Sequence, residues 1–426
     1  MFSPDDWATI FVKGVVAMEN NFKVYGYRWV VLGVFMLINI TVQFLWICFA
    51  PITATAAKFY GVNDLEIGML AMLFMLVYIP MAIPAAWVID TFGLYKGVGL
   101  GAVLLGIFGI LRGIFAANYH IVFACTVGLA IGQPFILNAF TTIAAKWFPL
   151  NERATATGLG FVANFIGIAG GLMLTPYLVI TYGIATMQMI YGIATAASSI
   201  IFLLLARDHP ITPPSPPGYA ERALMTEGLK QIVRNPYFIL LMIMFFIGNG
   251  IFNGVATWIE NIMRPKGLSI TQAGMAGGML LLGGLIGAAI ISVLSDYSRR
   301  RRPFMIAGAF GAIPWLLAII FGHGYWVMLV SAFMLGFFLI SLAPVGFQYA
   351  AEITFPAPEG TSNGLLQLAA QASVILIWAG GVLSEHTGSF KVALLIGVIL
   401  ITLGCPFMIL YLKESSLIRS DAPTGS

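Results

Sequence analysis

Long apolar runs separated by short polar breaks dominate this sequence. Crossing about 30 Å of hydrocarbon takes roughly 20 helical residues. Runs of that length fall at roughly 29–52, 66–90, 97–116, 120–147, 154–181, 184–206, 236–262, 272–296, 303–322, 325–353, 362–385 and 390–412. In hydrocarbon every backbone N–H and C=O must be paired within the protein, so such runs are helices. The pattern predicts an all-α membrane protein of twelve transmembrane helices.

The texture changes after the sixth run. Residues 207–218 read Arg-Asp-His-Pro-Ile-Thr-Pro-Pro-Ser-Pro-Pro-Gly, a proline density that excludes helix and marks a linker. Over 219–234, Leu224, Met225, Leu229, Ile232 and Val233 mix with charges and suggest a surface helix. The chain thus divides into a terminal segment 1–28, a six-helix bundle 29–206, a linker 207–235, a second six-helix bundle 236–412 and a tail 413–426. The two bundles read as copies. Asp90 and Asp296 are 206 residues apart, Gly158 and Gly364 also 206, and Glu152 and Glu359, like Pro149 and Pro356, 207. Several coincidences at nearly one period indicate an internal duplication. Parallel repeats of six spans are the organisation of the major facilitator fold, with the solute site near mid-membrane between the halves.

Composition strengthens this picture. Only 9% of residues are charged, against about 25% in soluble domains, so lipid must solvate much of the surface. Sixteen of the 21 lysines and arginines lie on the side of both termini, four on the other side, and Arg112 inside the third run. Basic loops mark the cytoplasmic side. Both termini are therefore expected in the cytoplasm, and the plasma (inner) membrane is the expected location. Arg112, near the outer end of its span, is expected to snorkel, with anion binding as the alternative. At the start, Ser3-Pro4-Asp5-Asp6 reads as a helix N-terminus and not as a signal peptide; the stretch after it suits a surface helix or a disordered tail.

Other classes find little support. No basic block with interleaved aromatics points to nucleic acid. Cys48, Cys125 and Cys405 lie in apolar runs and read as free thiols. His120, His209, His323 and His386 lie at run ends or in loops. No zinc spacing, Walker A motif or nucleophile elbow appears. Neither an enzyme, a cofactor nor a metal site is expected, and the chain is read as a monomer.

Candidate chemistry rests on polar residues placed where lipid makes them costly. Gln133 and Gln371 lie mid-span, where an unpaired amide must face another helix or a wet cavity. Asn164 stands 207 residues before Gln371, so the pair should face the central axis from opposite halves. Asn249 and Asn253 are one turn apart, with Gly248, Gly250 and Gly254 close by. Trp46 lies past the middle of its span, and a tryptophan face attracts a quaternary ammonium by about 2 kcal/mol or more when desolvated. Interhelical bonding for the amides, anchoring for Trp46 and gap filling for Met75 are the competing readings. Asp90, Asp296, Glu260, Glu352 and Glu385 all fall at helix ends, which points to uniport and away from proton symport.

Between the second and third spans the chain reads Ala86-Trp87-Val88-Ile89-Asp90-Thr91-Phe92-Gly93-Leu94-Tyr95-Lys96. This is similar to the gating loop of major facilitators, with alanine at the first glycine and Thr91 and Leu94 at two basic positions. Its copy runs from Gly287 to Asp296 and Arg299–Arg302. Asp90, Gly93, Lys96, Asp296 and Arg299 are the gating candidates. A carboxylate at a helix end can hold a neighbouring helix terminus or arginine and close the cytoplasmic side; stopping membrane transfer is the simpler role for the same residues.

Longer stretches narrow the resemblance. They are Phe59-Tyr60-Gly61-Val62 after Trp46, Met75-Leu76-Val77-Tyr78-Ile79-Pro80 through Pro84-Ala85-Ala86-Trp87, and Gln133-Pro134-Phe135-Ile136-Leu137. The longest runs from Pro344 through Phe347-Gln348-Tyr349-Ala350-Ala351-Glu352 to Pro356, into Glu359-Gly360-Thr361-Ser362-Asn363-Gly364-Leu365 and Ala370-Gln371. Together they resemble the feline leukaemia virus subgroup C receptor-related family. The resemblance implies facilitated transport of choline and ethanolamine, with haem export also proposed for members. It carries the family's cavity onto Trp46, Met75, Gln133, Asn253 and Gln371, with Asn253 standing where the family has tyrosine.

The leading reading is therefore a uniporter of a small organic cation or zwitterion working by alternating access. Export of haem or another drug-like amphipath is a second. A non-transporting membrane receptor or scaffold is a third, which a large extracellular region would favour; the outer loops here reach only about ten residues.

Overall fold

A computed structural model describes residues 24–149, 152–212, 232, 234–298, 300–354 and 359–412. The terminal segment 1–23, most of the linker with its expected surface helix, and Arg299 lie outside the described residues. Among these residues the structure is helical throughout, without strands.

Among the described residues, eleven helices are long and apolar enough to cross a membrane. One of them, Arg153–Leu205, holds two spans. Its backbone leaves helical geometry at Gly183, where φ is 82° and ψ is 167°. A positive φ is readily adopted only by glycine, so the chain turns there. Twelve spans result. We number them by their helices: span 1 Arg28–Ile47, span 2 Asp64–Phe92, span 3 Leu94–Ile114, span 4 Tyr119–Leu137 continued by Phe140–Trp147, span 5 up to Gly183 and span 6 after it. Span 7 is Pro236–Thr257 continued by Ile259–Met263, and span 8 is Ile270–Ser298. Span 9 is Arg302–Phe321, span 10 is Tyr325–Thr354, span 11 is Glu359–Ala372 plus Val374–Thr387, and span 12 is Lys391–Tyr411.

Several spans break where a bundle of straight helices would not. Span 1 ends at Ile47, passes through a 3₁₀ turn at Ala50–Ile52 around Pro51, and resumes as Thr53–Tyr60. Pro51 has no backbone N–H to donate, which favours the interruption. Span 7 pauses at Trp258 and span 11 at Ser373. Spans 1–6 pack among themselves, as do spans 7–12. The two groups meet chiefly where span 8 lies on span 5 and span 2 on span 11.

Candidate solute-binding site and gates

Trp46 occupies the last turn of the first segment of span 1. Its indole N–H donates to the Ala71 carbonyl of span 2 at 3.0 Å, and the side chain is 8% exposed. Ala71 lies one helical turn before Met75, which is buried. Three residues before Trp46, buried Gln43 donates to the Asn164 side-chain oxygen of span 5 at 2.6 Å. In span 7, Asn253 donates to Asn249 at 3.1 Å. Gln133 is buried in span 4 and Gln371 half-buried in span 11. Neither amide has a hydrogen-bond partner among the described residues, yet neither is sealed from solvent-accessible space. Such amides stay free to bond a solute or water.

The face opposite the termini is bonded across the halves. Asp64 of span 2 accepts from Arg264 at 2.8 Å and from Asn261 at 2.6 Å. Buried Glu260 accepts from the Ala54 backbone N–H at 3.1 Å and lies 3.6 Å from Arg264. The Trp258 ring is wedged against span 2 and span 11. A Cβ added at Gly68 or Gly381 would overlap it, and its N–H donates to Ile377 at 3.1 Å. This face is closed.

On the face of the termini every ion pair among the described residues stays within one half. Arg28 meets Glu152 at 3.1 Å and Lys146 meets Asp208 at 3.2 Å. Arg301 pairs with Asp296 and, at 3.2 Å, with Glu352. Asp208 also accepts from the Tyr95 backbone N–H at 3.1 Å, at the start of span 3. Burial pushes its carboxyl up, but the Tyr95 bond and Lys146 outweigh that and hold it below the usual aspartate value. Gly93, with φ 95°, lies so close to Asp208 that a Cβ there would clash with the carboxylate. Asp90 and Lys96 are exposed, and neither has an ion-pair partner among the described residues.

Residues 35–266 and 260–424 each match the Major Facilitator Superfamily family model. The choline/ethanolamine transporter FLVCR2 of Rattus norvegicus is 30% identical over 426 residues, covering 95% of this chain and 76% of the relative. The chain belongs to the feline leukaemia virus subgroup C receptor-related family of major facilitators. The human FLVCR2 is 29% identical, over 86% of this chain and 74% of its own length. The Felis catus choline/ethanolamine transporter FLVCR1 is 32% identical, over 82% and 66%. Among solved structures, a bacterial homologue of the lysosomal transporter Spinster in an inward-facing, unoccupied form superposes with a TM-score of 0.74 at 17% identity. It covers 91% of this chain and 97% of that one. The chain is a multi-pass membrane transporter of this family and not an enzyme.

Arg112 is a correction. It does not snorkel: it is 1% exposed. Its guanidinium donates to the Leu45 carbonyl at 2.9 Å and to Gln188 at 3.1 Å. It also contacts the Cys48 sulfur at 2.9 Å and lies 5.0 Å from the centre of the Phe49 ring. The reason is the break in span 1. Carbonyls at a helix C-terminus lack intrahelical partners and carry partial negative charge, and Arg112 fills that role beside Trp46. Sequence reasoning also missed Gln43 and the residues that close the opposite face, Asp64, Trp258, Asn261 and Arg264. For Gln43 a signal existed, since it stands 206 residues before Asn249, the period of the duplication. For the others the sequence offered only the Glu260–Arg264 spacing of one helical turn.

Proposed function

We propose that the chain is a uniporter of a small organic cation or zwitterion, with choline and ethanolamine as lead solutes. The reading rests on the relatives' activity and, in this chain, on Trp46. The Ala71 carbonyl takes its N–H, so the ring face is what it can offer a solute, and a ring face suits a methylated ammonium. Met75 lies one turn after Ala71, and Gln133, Asn164, Asn249, Asn253 and Gln371 supply amides from spans 4, 5, 7 and 11. Buried Glu260 accepts from the Ala54 backbone N–H and lies beside Arg264, and Glu352 pairs with Arg301; acids held in this way at helix ends support the uniport reading. In this reading the face of the termini is cytoplasmic. Asp90, with Gly93 and Lys96, and Asp296, with Arg299, act as latches that engage when that face closes.

Flux of labelled choline and ethanolamine into proteoliposomes tests this. Uptake should follow the solute gradient and the membrane potential. Accumulation driven by a pH gradient at zero potential would refute uniport. Trp46→Ala should weaken choline binding by about 1–2 kcal/mol, roughly tenfold. Asn253→Tyr, which restores the family's aromatic wall, should favour choline over ethanolamine.

A further inference from the structure

In the second half of the chain an apolar groove lies between spans 7, 9, 11 and 12. Gly254 and Trp258 of span 7, Gly380 and Leu383 of span 11, and Ala393 and Gly397 of span 12 line it. None of the proposed solute-site residues does. Its polar side-chain atom is the Trp258 N–H, already donated to Ile377. The groove therefore has no hydrogen bond to give a polar solute, and an apolar cavity of this kind stays dry.

The space is not one that helix packing demands. A Cβ at Gly254 would meet nothing within 4 Å, and one at Gly380 only the Ala393 methyl at 3.5 Å. The glycines leave room that larger side chains could occupy. Ile396, one of the lining residues, is 44% exposed. The groove is thus continuous with the apolar surface that the spans must turn to the bilayer. Atoms lining a void lose their dispersion partners, and the apolar, linear molecule present at high concentration beside this groove is a lipid tail. We propose that the groove is a binding site for one acyl chain of a membrane lipid, seated against Trp258. That indole also touches the first half of the molecule at Gly68, so the bound chain packs on a residue of the closed face.

The test uses the full chain in nanodiscs containing phosphatidylcholine with a photoreactive diazirine on one acyl chain. After photolysis, adducts are mapped by peptide mass spectrometry. Adducts around Leu383 and Ala393 should exceed severalfold those on the lipid-facing side of span 3 at Val103 and Ile107, which are 40% and 51% exposed. Gly254→Leu and, independently, Gly380→Leu should cut the groove adducts severalfold and leave the span 3 adducts unchanged. Groove labelling no denser than at span 3 would overturn the proposal. So would labelling that both variants leave unchanged, or labelling that saturating choline displaces, since the groove would then belong to the solute path.

Discussion

The face opposite the termini and the face that carries them hold their charges differently. On the first, Asp64 reaches Arg264 and Asn261, and Glu260 reaches Ala54, all across the boundary between halves. On the second, Arg28–Glu152, Lys146–Asp208 and Arg301 with Asp296 and Glu352 each stay inside one half. In the proposed alternating access, bonds within a half survive a rocking of the halves, and bonds across the boundary break when the closed face opens. The crossing pair Arg264–Asp64 is partly exposed, at 45% and 32%, and such pairs contribute only about 0–1 kcal/mol. Weak crossing bonds suit a gate; a strong one would trap a single state.

The largest test of that contrast is Trp258→Ala. Removing a buried aromatic costs about 3–5 kcal/mol, and part of the lost contact, at Gly68, lies across the halves. Spin labels at Lys58→Cys and Lys391→Cys, one on each half of the closed face, should move from a short distance to a broad, longer distribution. An unchanged distance would mean that the ring does not hold the face shut.

Arg112→Gln should act differently, because its contacts stay within one half. Loss of charged hydrogen bonds worth about 1.5–3 kcal/mol each, partly offset by the easier burial of a neutral amide, should lower thermal stability by about 3 kcal/mol. The spin-label distance should stay short. A distance change equal to that of Trp258→Ala would show that the span 1 break belongs to the gate.

Asp64→Asn should shift the same distance distribution toward the open face by about fivefold, the equivalent of about 1 kcal/mol for a partly exposed pair. Asp296→Asn, on the other face, should not shift it toward the open face. Equal effects from both would dissolve the distinction between the faces.

The smallest effect concerns pH. Asp208 has a folded pKa below its usual value of about 3.9. Its contribution is therefore complete above that value and lost as pH falls through the lower folded one. Exchange of the Tyr95 amide proton should accelerate only below about pH 4 relative to its intrinsic rate. In Asp208→Asn the amide should be weakly protected at every pH. Protection that is unchanged in the variant would show that Asp208 does not hold the start of span 3.

Much of this molecule was legible in the chain. Twelve apolar runs predict twelve spans because the hydrocarbon thickness sets a length that local composition reveals. The Gly183 turn fell between two expected spans for the same reason. The amides stood out because lipid makes an unpaired polar group costly, but the partner of Asn164 is Gln43 of its own half, which the repeat spacing did not indicate. The relatives bore out the family resemblance, which rested on long stretches such as Pro344–Pro356.

The sequence alone determined what lipid solvation dictates locally: span number, the duplicated halves and which polar residues are too costly to face lipid. Only the tertiary structure decided the partners. Asp64 and Arg264 are 200 residues apart, and no periodicity encodes their meeting. Arg112 looked like a snorkelling side chain because its position near a span end permits that. Its burial follows from a helix break in another span, whose free carbonyl offers a better partner than the membrane surface. Which face is closed is likewise absent from the chain read residue by residue, because it depends on how the two bundles pack against each other, through contacts between residues about 200 positions apart.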